Sequence, residues 1–255
     1  MDKTTTRHIN VAEKGIKILR GEGVAEFSKS ILRYIYLKTN KIFYRVKLFF
    51  MGRVVDKFHW LFYNSGVWEN TYWLGSKCLK CPLDLWVYQE IISDLKPDII
   101  IETGTYKGGS ALFLASICDL LGKGITITID IEKQITPKHE RIKYVIGSST
   151  DKQIINEIKY LINNKESIMV ILDSDHSKEH VLKELKIYSE FVSVSSYLIV
   201  EDTNINGHPV LPNFGSGPME AVDEFLKNNI SFIRDKNKEK YFLSFNPRGF
   251  LRRVK

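Results

Sequence analysis

The sequence predicts an α/β fold: a doubly wound, mostly parallel seven-stranded sheet with an antiparallel C-terminal hairpin and an N-terminal helical arm. Three observations predict it. Uniformly apolar runs such as Ile99-Ile100-Ile101 and Ile168-Met169-Val170-Ile171-Leu172 read as strands covered on both faces. They alternate with helix-length segments, the pattern of βαβ units. The first of these runs ends in Glu102 and a glycine-rich turn, which opens the apolar helical stretch from Ser110. In open sheets of this kind a ligand sits beyond the carboxyl end of a strand, at such a turn.

The elements follow in order. Leu85 to Leu95 reads as a helix that Pro97 forbids from continuing, so Ile99 to Glu102 is the first strand. Ser110 to Leu121 is a helix, and Gly122 and Gly124 turn the chain into the strand Ile125 to Asp130. Ile142 to Ile146 is a strand closed by Gly147, with a helix over Asp151 to Ile162 behind it. Ile168 to Asp173 is the fourth strand, Ser177 to Phe191 a helix, and Tyr197 to Asp202 the fifth strand. A helix opens at Gly217-Pro218, with proline in its first turn. Ile230 to Asp235 and Tyr241 to Phe245 then read as two strands whose five-residue link permits only an antiparallel hairpin.

The chain has 255 residues, enough for one large domain with an appendage, and its hydrophobic content of 44% is ordinary for a globular protein. The division expected is a basic, aromatic helical arm over residues 1–80 and the α/β domain over 81–255. The net charge of +7 is concentrated in residues 13 to 57 and in the tail from Arg248. Such an excess suits nucleic acid, an anionic membrane surface or a glycan carrier. In the arm, Tyr34, Tyr36, Phe43, Tyr44, Phe49, Phe50, Phe58, Trp60, Phe62 and Tyr63 are interleaved with Lys and Arg, as in an interfacial helix or an arm packed on the main domain or on a partner subunit. Arg45, Lys47, Arg53, Asp56 and Lys57 interrupt the Ile42 to Phe62 stretch and exclude an ordinary transmembrane helix there. The first ten residues are polar with no hydrophobic region after them, so the expected location is cytoplasmic, with the inner face of the membrane as an alternative. Cys78 and Cys81 form a lone Cys-Leu-Lys-Cys and Cys118 falls in an apolar helix; all three are expected as reduced, structural thiols.

The chemistry lies in acids at strand ends. Glu102, Asp130, Asp173 and the pair Glu201-Asp202 close four strands and place five carboxylates along one edge of the sheet. Like charges gathered there demand cations or hydrogen-bond donors between them. Asp130 ends the second strand, where an acid accepts hydrogen bonds from ribose hydroxyls. The turn after Glu102 lacks the Gly-x-Gly-x-x-Gly spacing of dinucleotide binders, and an acid ahead of its glycines repels a pyrophosphate. It attracts an ammonium group, which favours S-adenosylmethionine over a nicotinamide cofactor. Hard oxygens at Asp173-Ser174-Asp175-His176 and Glu201-Asp202-Thr203-Asn204 suit Mg²⁺ or Mn²⁺. His176 is placed to take a proton, or Asp175 and His176 serve only the start of the next helix.

Together these segments resemble the cephalosporin hydroxylase family, which includes rhamnosyl O-methyltransferase-like proteins. The resemblance rests on Ile-Glu-Thr-Gly-Thr-Tyr-Lys-Gly-Gly-Ser-Ala, Ile-Asp-Ile, Ile-Gly-Ser-Ser-Thr-Asp, Leu-Asp-Ser-Asp-His-Ser and Val-Glu-Asp-Thr-Asn-Ile-Asn-Gly-His-Pro-Val. Gly-Pro-Met-Glu-Ala-Val and Asn-Pro-Arg-Gly-Phe-Leu-Arg-Arg complete it, over about residues 72 to 253. It implies the Rossmann-like fold of class I methyltransferases that use S-adenosylmethionine. By it, Glu102, Gly104, Thr105, Tyr106 and Ser110 hold the methionine part of the donor, Asp130 the ribose, and Ser148 and Ser149 lie against the adenine. Asp173, Glu201 and Asp202 ligate a divalent metal, with Asp175 the alternative to Asp173. Catechol-type methyltransferases show a similar pattern with lysine where this chain has His176, so the base is His176 with Asp173 beside it.

The loop Thr203 to Gly217 is long and rich in Gly, Pro and Asn, and reads as an acceptor-side lid with Asn204 and His208 toward substrate. The expected activity is O-methylation of a sugar or similar polyhydroxylated metabolite in glycan or secondary-metabolite biosynthesis. The partners expected are a small-molecule or glycan acceptor and a second copy of the chain, with peripheral membrane contact through the arm and no nucleic acid. An NAD-dependent oxidoreductase and a non-catalytic helper subunit are the alternatives.

Overall fold

The structure is a computed structural model that describes residues 54–163 and 167–255, with residues 28, 29, 32 and 35. Most of the basic aromatic arm lies outside the described residues, and the readings made of it stand there. Two compact units are distinguished, Met1–Val55 and Asp56–Lys255. Residues 56–80, read with the arm from the sequence, therefore pack with the α/β unit. No described helix is long and apolar enough to cross a membrane.

A helical segment over residues 54–64 and a short 3₁₀ turn, Val67–Asn70, precede a two-residue ribbon of β1 (Tyr72–Trp73) and β2 (Ser76–Lys77). Helix α1 (Pro82–Leu95) opens with proline at its first turn, where the missing N–H costs nothing. The main sheet holds β3 (Ile99–Thr103), β4 (Ile125–Asp130), β5 (Ile142–Ile146), β6 (Ile168–Leu172), β7 (Tyr197–Val200), β8 (Phe232–Arg234) and β9 (Phe250–Arg253). Its order is β5-β4-β3-β6-β7-β9-β8, parallel except where β9 pairs with β7 and with β8. Helices α2 (Gly109–Leu121), α3 (Lys152–Ile162), α4 (Lys178–Tyr188) and α5 (Pro218–Asn228) connect the strands.

The period-2 alternation of each strand divides the core into two layers. Ile99, Ile101, Ile127, Ile129, Val170 and Leu172 pack with α3, α4 and α5 on one face. Ile100, Met169, Ile171 and Ile199 pack with α1 and α2 on the other. β3, β6 and β7 at the centre of the sheet are buried on both faces, which is why β6 and β7 read as unbroken apolar runs.

The chain runs outward from β3 through β4 to β5, then returns to β6 on the other side of β3. That reversal is a topological switch point, and it opens a crevice between the ends of β3 and β6.

The last hairpin differs from the sequence reading. Tyr241 to Phe245 is not a strand; the partner of β8 is Phe250–Arg253, inserted between β7 and β8. Two facts account for the difference. Leu243 and Phe245 are used elsewhere, in a cluster with Cys81, Phe62, Tyr63 and Trp68. Gly249 lets the chain run against β7, since a Cβ there would stand 2.2 Å from the Val200 carbonyl oxygen.

Candidate active site

An open cleft of about 690 Å³ lies at the switch point. Its floor is the turn after β3. Gly104 has φ +89°, and a Cβ on it would meet the Asp173 carbonyl oxygen at 1.8 Å, so the glycine is what lets this turn pass the end of β6. Asp130 fixes the same turn: its Oδ2 accepts from the N–H groups of Thr105 (3.0 Å) and Tyr106 (2.8 Å), and its Oδ1 from Glu132 N–H (3.0 Å). A carboxylate offers about four acceptor directions, so one remains for a ligand.

Gly104, Thr105, Tyr106, Ser110, Asp130, Ser148 and Ser149 all line the cleft. Glu102 does not line it and lies fully buried beneath. The Thr128 hydroxyl donates to its Oε2 at 2.8 Å, while its Oε1 has no hydrogen-bond partner. Burial pushes its carboxyl above the ordinary range, against the pull of Lys80. Ser149 Oγ is 3.2 Å from His180 Nε2, and its carbonyl accepts from the Tyr188 hydroxyl at 2.8 Å. Those contacts hold the Ser148-Ser149 wall on α4.

The same cleft is lined by Asp173, His176 and Asp202. Each offers a ligand atom, and the three atoms lie within 4.8 Å of one another. His176 Nε2 is 3.2 Å from Asp202 Oδ2. Asp202 adopts φ +52°, an uncommon backbone state for a residue with a side chain. Asn246 Oδ1 secures it by accepting the Asp202 N–H at 3.0 Å. Asp175 lines the cleft outside this trio: its Oδ1 accepts the Ser177 N–H at 2.6 Å, the Ser177 hydroxyl and then that N–H hold its carboxyl below the ordinary range, and Ser177 caps α4.

Glu201, expected beside Asp173 and Asp202, is engaged differently. Its Oε1 receives the Tyr88 hydroxyl at 2.9 Å and lies 2.7 Å from Lys80 Nζ. Lys80 also pairs with Asp173 Oδ2 and is only 4% exposed. Burial alone would lower the Lys80 ammonium, but Asp173 and Glu201 outweigh it and hold the group charged. Burial raises the carboxyl groups of Asp173 and Glu201, and Lys80 opposes that rise. A buried pair of this kind is costly to break, on the order of 3–5 kcal/mol when one partner is removed.

Two lid residues also sit apart from the cleft. Asn204 is fully buried, its amide nitrogen 3.0 Å from His59 Nε2, and it does not line the cavity. His208 Nε2 is 2.9 Å from Glu220 Oε1, and Asn206 donates to the same oxygen at 3.0 Å. Burial raises Glu220, but the bonds from His208, Gly217 N–H and Asn206 win and bring it down to about 2. His208 and Glu220 thus pin the loop to the start of α5.

Sequence reasoning missed Lys80, Tyr88 and Asn246. Asn246 donates to the Tyr88 hydroxyl at 2.8 Å, so one chain of bonds runs from Asp202 to Glu201. The Asn-Pro-Arg-Gly segment was the one visible signal for Asn246. Lys80 is held between Cys78 and Cys81, both buried, with thiols that burial pushes up to about 12. They are inert core groups, as expected.

The model of the family described as rhamnosyl O-methyltransferase/CmcI matches residues 65–254. The chain belongs to that family. A rhamnosyl O-methyltransferase of Mycobacterium tuberculosis is 39% identical over 232 residues, covering 87% of this chain and 92% of the relative. One of Mycobacterium leprae is 39% identical over 205 residues, covering 78% and 90%. Among solved structures, an apo form of CmcI superposes with a TM-score of 0.58 at 23% identity, covering 73% of this chain and 77% of that one. A CmcI structure with Mg and SAM gives 0.57 at 22% identity, over 73% and 78%. At that identity the superpositions establish the fold, the Rossmann-like methyltransferase sheet expected from the sequence. The enzyme class is that of the family, a methyltransferase that uses S-adenosylmethionine to methylate oxygen.

Proposed function

We propose that this enzyme transfers the methyl group of S-adenosylmethionine to a hydroxyl of a sugar, with Mg²⁺ or Mn²⁺ held by Asp173, His176 and Asp202. The observation that carries the reading is the convergence of those three ligand atoms within 4.8 Å, in the cleft that the Asp130-anchored turn also lines. Two carboxylates suit either ion, and the imidazole tilts the set toward Mn²⁺.

The donor fits the residues present. Glu102 Oε1, buried without a partner, matches an ammonium group. The free acceptor direction on Asp130 matches a ribose hydroxyl, and Ser148 and Ser149 form a wall for the adenine. Thr105 and Tyr106 hold the methionine part with a backbone that Asp130 has already ordered, so little entropy is lost on binding. The ion, when bound, supplies Lewis acidity that makes an acceptor hydroxyl easier to deprotonate. His176 then acts as a ligand, in place of the base role read from the sequence, and Asp202 holds its ring through the 3.2 Å contact.

The acceptor reading follows the relatives, which are named rhamnosyl O-methyltransferases. A rhamnosyl unit on a glycan or glycolipid is the acceptor we propose, together with self-association and peripheral contact of the basic arm with anionic lipid. Calorimetry tests the donor: S-adenosylmethionine should bind and NAD should not. Binding of NAD with no binding of S-adenosylmethionine would overturn the reading in favour of an oxidoreductase.

A further inference from the structure

No described residue of the 203–217 loop lines the cleft, and Asn204 and His208 are engaged elsewhere. The segment ahead of α1 lines it instead, through Trp68, Lys77 and Leu79. Of these, Trp68 is held most firmly. Tyr63 stacks on its ring with centroids 5.3 Å apart, and the Trp68 Nε1–H donates to the Tyr63 carbonyl at 2.9 Å. With that N–H engaged, the indole has no polar atom left to offer the cleft. The ring is therefore a rigid apolar surface in a cavity otherwise rich in acids.

The fold also says which side of the cleft the ring occupies. The sheet order puts the ends of β4 and β5, with Asp130, Ser148 and Ser149, on one side of β3, and the ends of β6 and β7 on the other. Trp68 belongs to the second side. It meets Phe245 edge-on at 5.6 Å, and the Phe245 carbonyl accepts the Asn204 N–H at 3.1 Å in the loop after β7. The neighbouring Asn246 accepts the Asp202 N–H at 3.0 Å. Trp68 thus stands away from the wall read as the adenine site.

We infer that Trp68 is the platform on which the acceptor lies, its ring against the C–H face of a deoxyhexose, so that the segment ahead of α1 selects the acceptor. The inference rests on the sugar-acceptor reading above. The face of an indole is electron-rich and the C–H bonds of a pyranose are weakly positive, so the two surfaces attract. A 6-deoxy sugar carries a methyl group where its parent has a hydroxyl, which adds apolar area for such a surface to cover. Because Tyr63 and Phe245 hold the ring before any ligand arrives, little freedom is lost on binding.

The test is steady-state methyl transfer from S-adenosylmethionine to methyl rhamnoside by the full chain, with donor affinity measured separately by calorimetry. Trp68→Leu, which keeps apolar bulk without a ring, should raise KM for the rhamnoside about tenfold or more, with kcat and donor affinity within about threefold of the parent. Trp68→Phe, which restores a ring, should recover most of that loss. A KM in Trp68→Leu within about threefold of the parent would overturn the inference. So would an equal loss of donor affinity, which would put the ring against the donor. Should Trp68→Leu fail to fold, as its melting curve would show, saturation-transfer NMR on the unaltered chain decides. Trp68 is the one tryptophan that lines the cleft. In protein deuterated everywhere but at tryptophan, saturating the indole protons should therefore reach the C–H protons of the bound rhamnoside, and no transfer would overturn the inference. No methylation of the rhamnoside by the unaltered chain, with S-adenosylmethionine still bound, would instead overturn the sugar-acceptor reading itself.

Discussion

His176 Nε2 and Asp202 Oδ2 meet at 3.2 Å across two strand ends that are 26 residues apart in the chain (202 − 176 = 26). The imidazole comes from the loop after β6 and the carboxylate from the residue pair after β7. Parallel neighbours deliver both to one rim of the sheet. Asn246 then fixes Asp202 from the antiparallel end of the fold.

Replacing either member separates ion binding from donor binding. Asp202→Asn or His176→Ala should weaken Mn²⁺ binding by at least the ~10–100-fold that loss of even an outer partner costs. S-adenosylmethionine affinity should stay within about threefold, because Asp130, and neither Asp202 nor His176, orders the donor turn. Parallel calorimetric titrations of ion and donor check both halves.

Asp130 has the opposite signature. Its carboxylate orders the turn through three backbone N–H groups. Hydrogen bonds to a charged group contribute roughly 1.5–3 kcal/mol each. Asp130→Ala should therefore weaken S-adenosylmethionine binding by about 100-fold or more and leave Mn²⁺ binding nearly unchanged. Equilibrium binding of the donor to the variant measures it.

Gly104→Ala would put a Cβ 1.8 Å from the Asp173 carbonyl oxygen at φ +89°. Neither backbone can yield without opening the switch point, so the cost is about 3 kcal/mol or more. For a domain of this size that lowers the melting temperature by roughly 6–12 °C. Calorimetric melting of the variant beside the parent is the measurement.

His59 gives a pH dependence of definite sign. Burial holds its imidazole down at about 4, against the raising pull of Asp56. The unfolded chain binds a proton near the ordinary 6.5, so between about 6.5 and 4 the unfolded state carries more protons. The stability this site contributes is thus complete above about 6.5 and is lost as pH falls toward 4, on the order of 2 kcal/mol in all. His59→Gln, which keeps an acceptor for Asn204, should flatten that part of the curve. Denaturant unfolding at a series of pH values between 7 and 4 would show it.

Much of this was legible in the sequence because it is local. The apolar runs from Ile99 to Val200 announce five parallel strands, and the acids after them announce the rim. The second strand of the hairpin was misplaced because Tyr241 to Phe245 has strand composition, yet its apolar residues serve a cluster around Cys81, while Gly249 admits Phe250–Arg253 to the sheet. Lys80 carried no signal at all. Its partners lie 93 and 121 residues away (173 − 80 = 93; 201 − 80 = 121), and no local periodicity encodes such a pairing. Asn204 and His208 misled for a similar reason, since their partners, His59 and Glu220, sit on helices that the lid contacts only in the fold.

The most direct measurement is transfer of a labelled methyl group from S-adenosylmethionine to a rhamnoside acceptor, in excess EDTA and after readdition of Mg²⁺ or Mn²⁺. Label should enter the sugar only when the ion is present, and Asp202→Ala should give none under either condition. Full transfer in excess EDTA, or equal transfer by Asp202→Ala, would contradict the account.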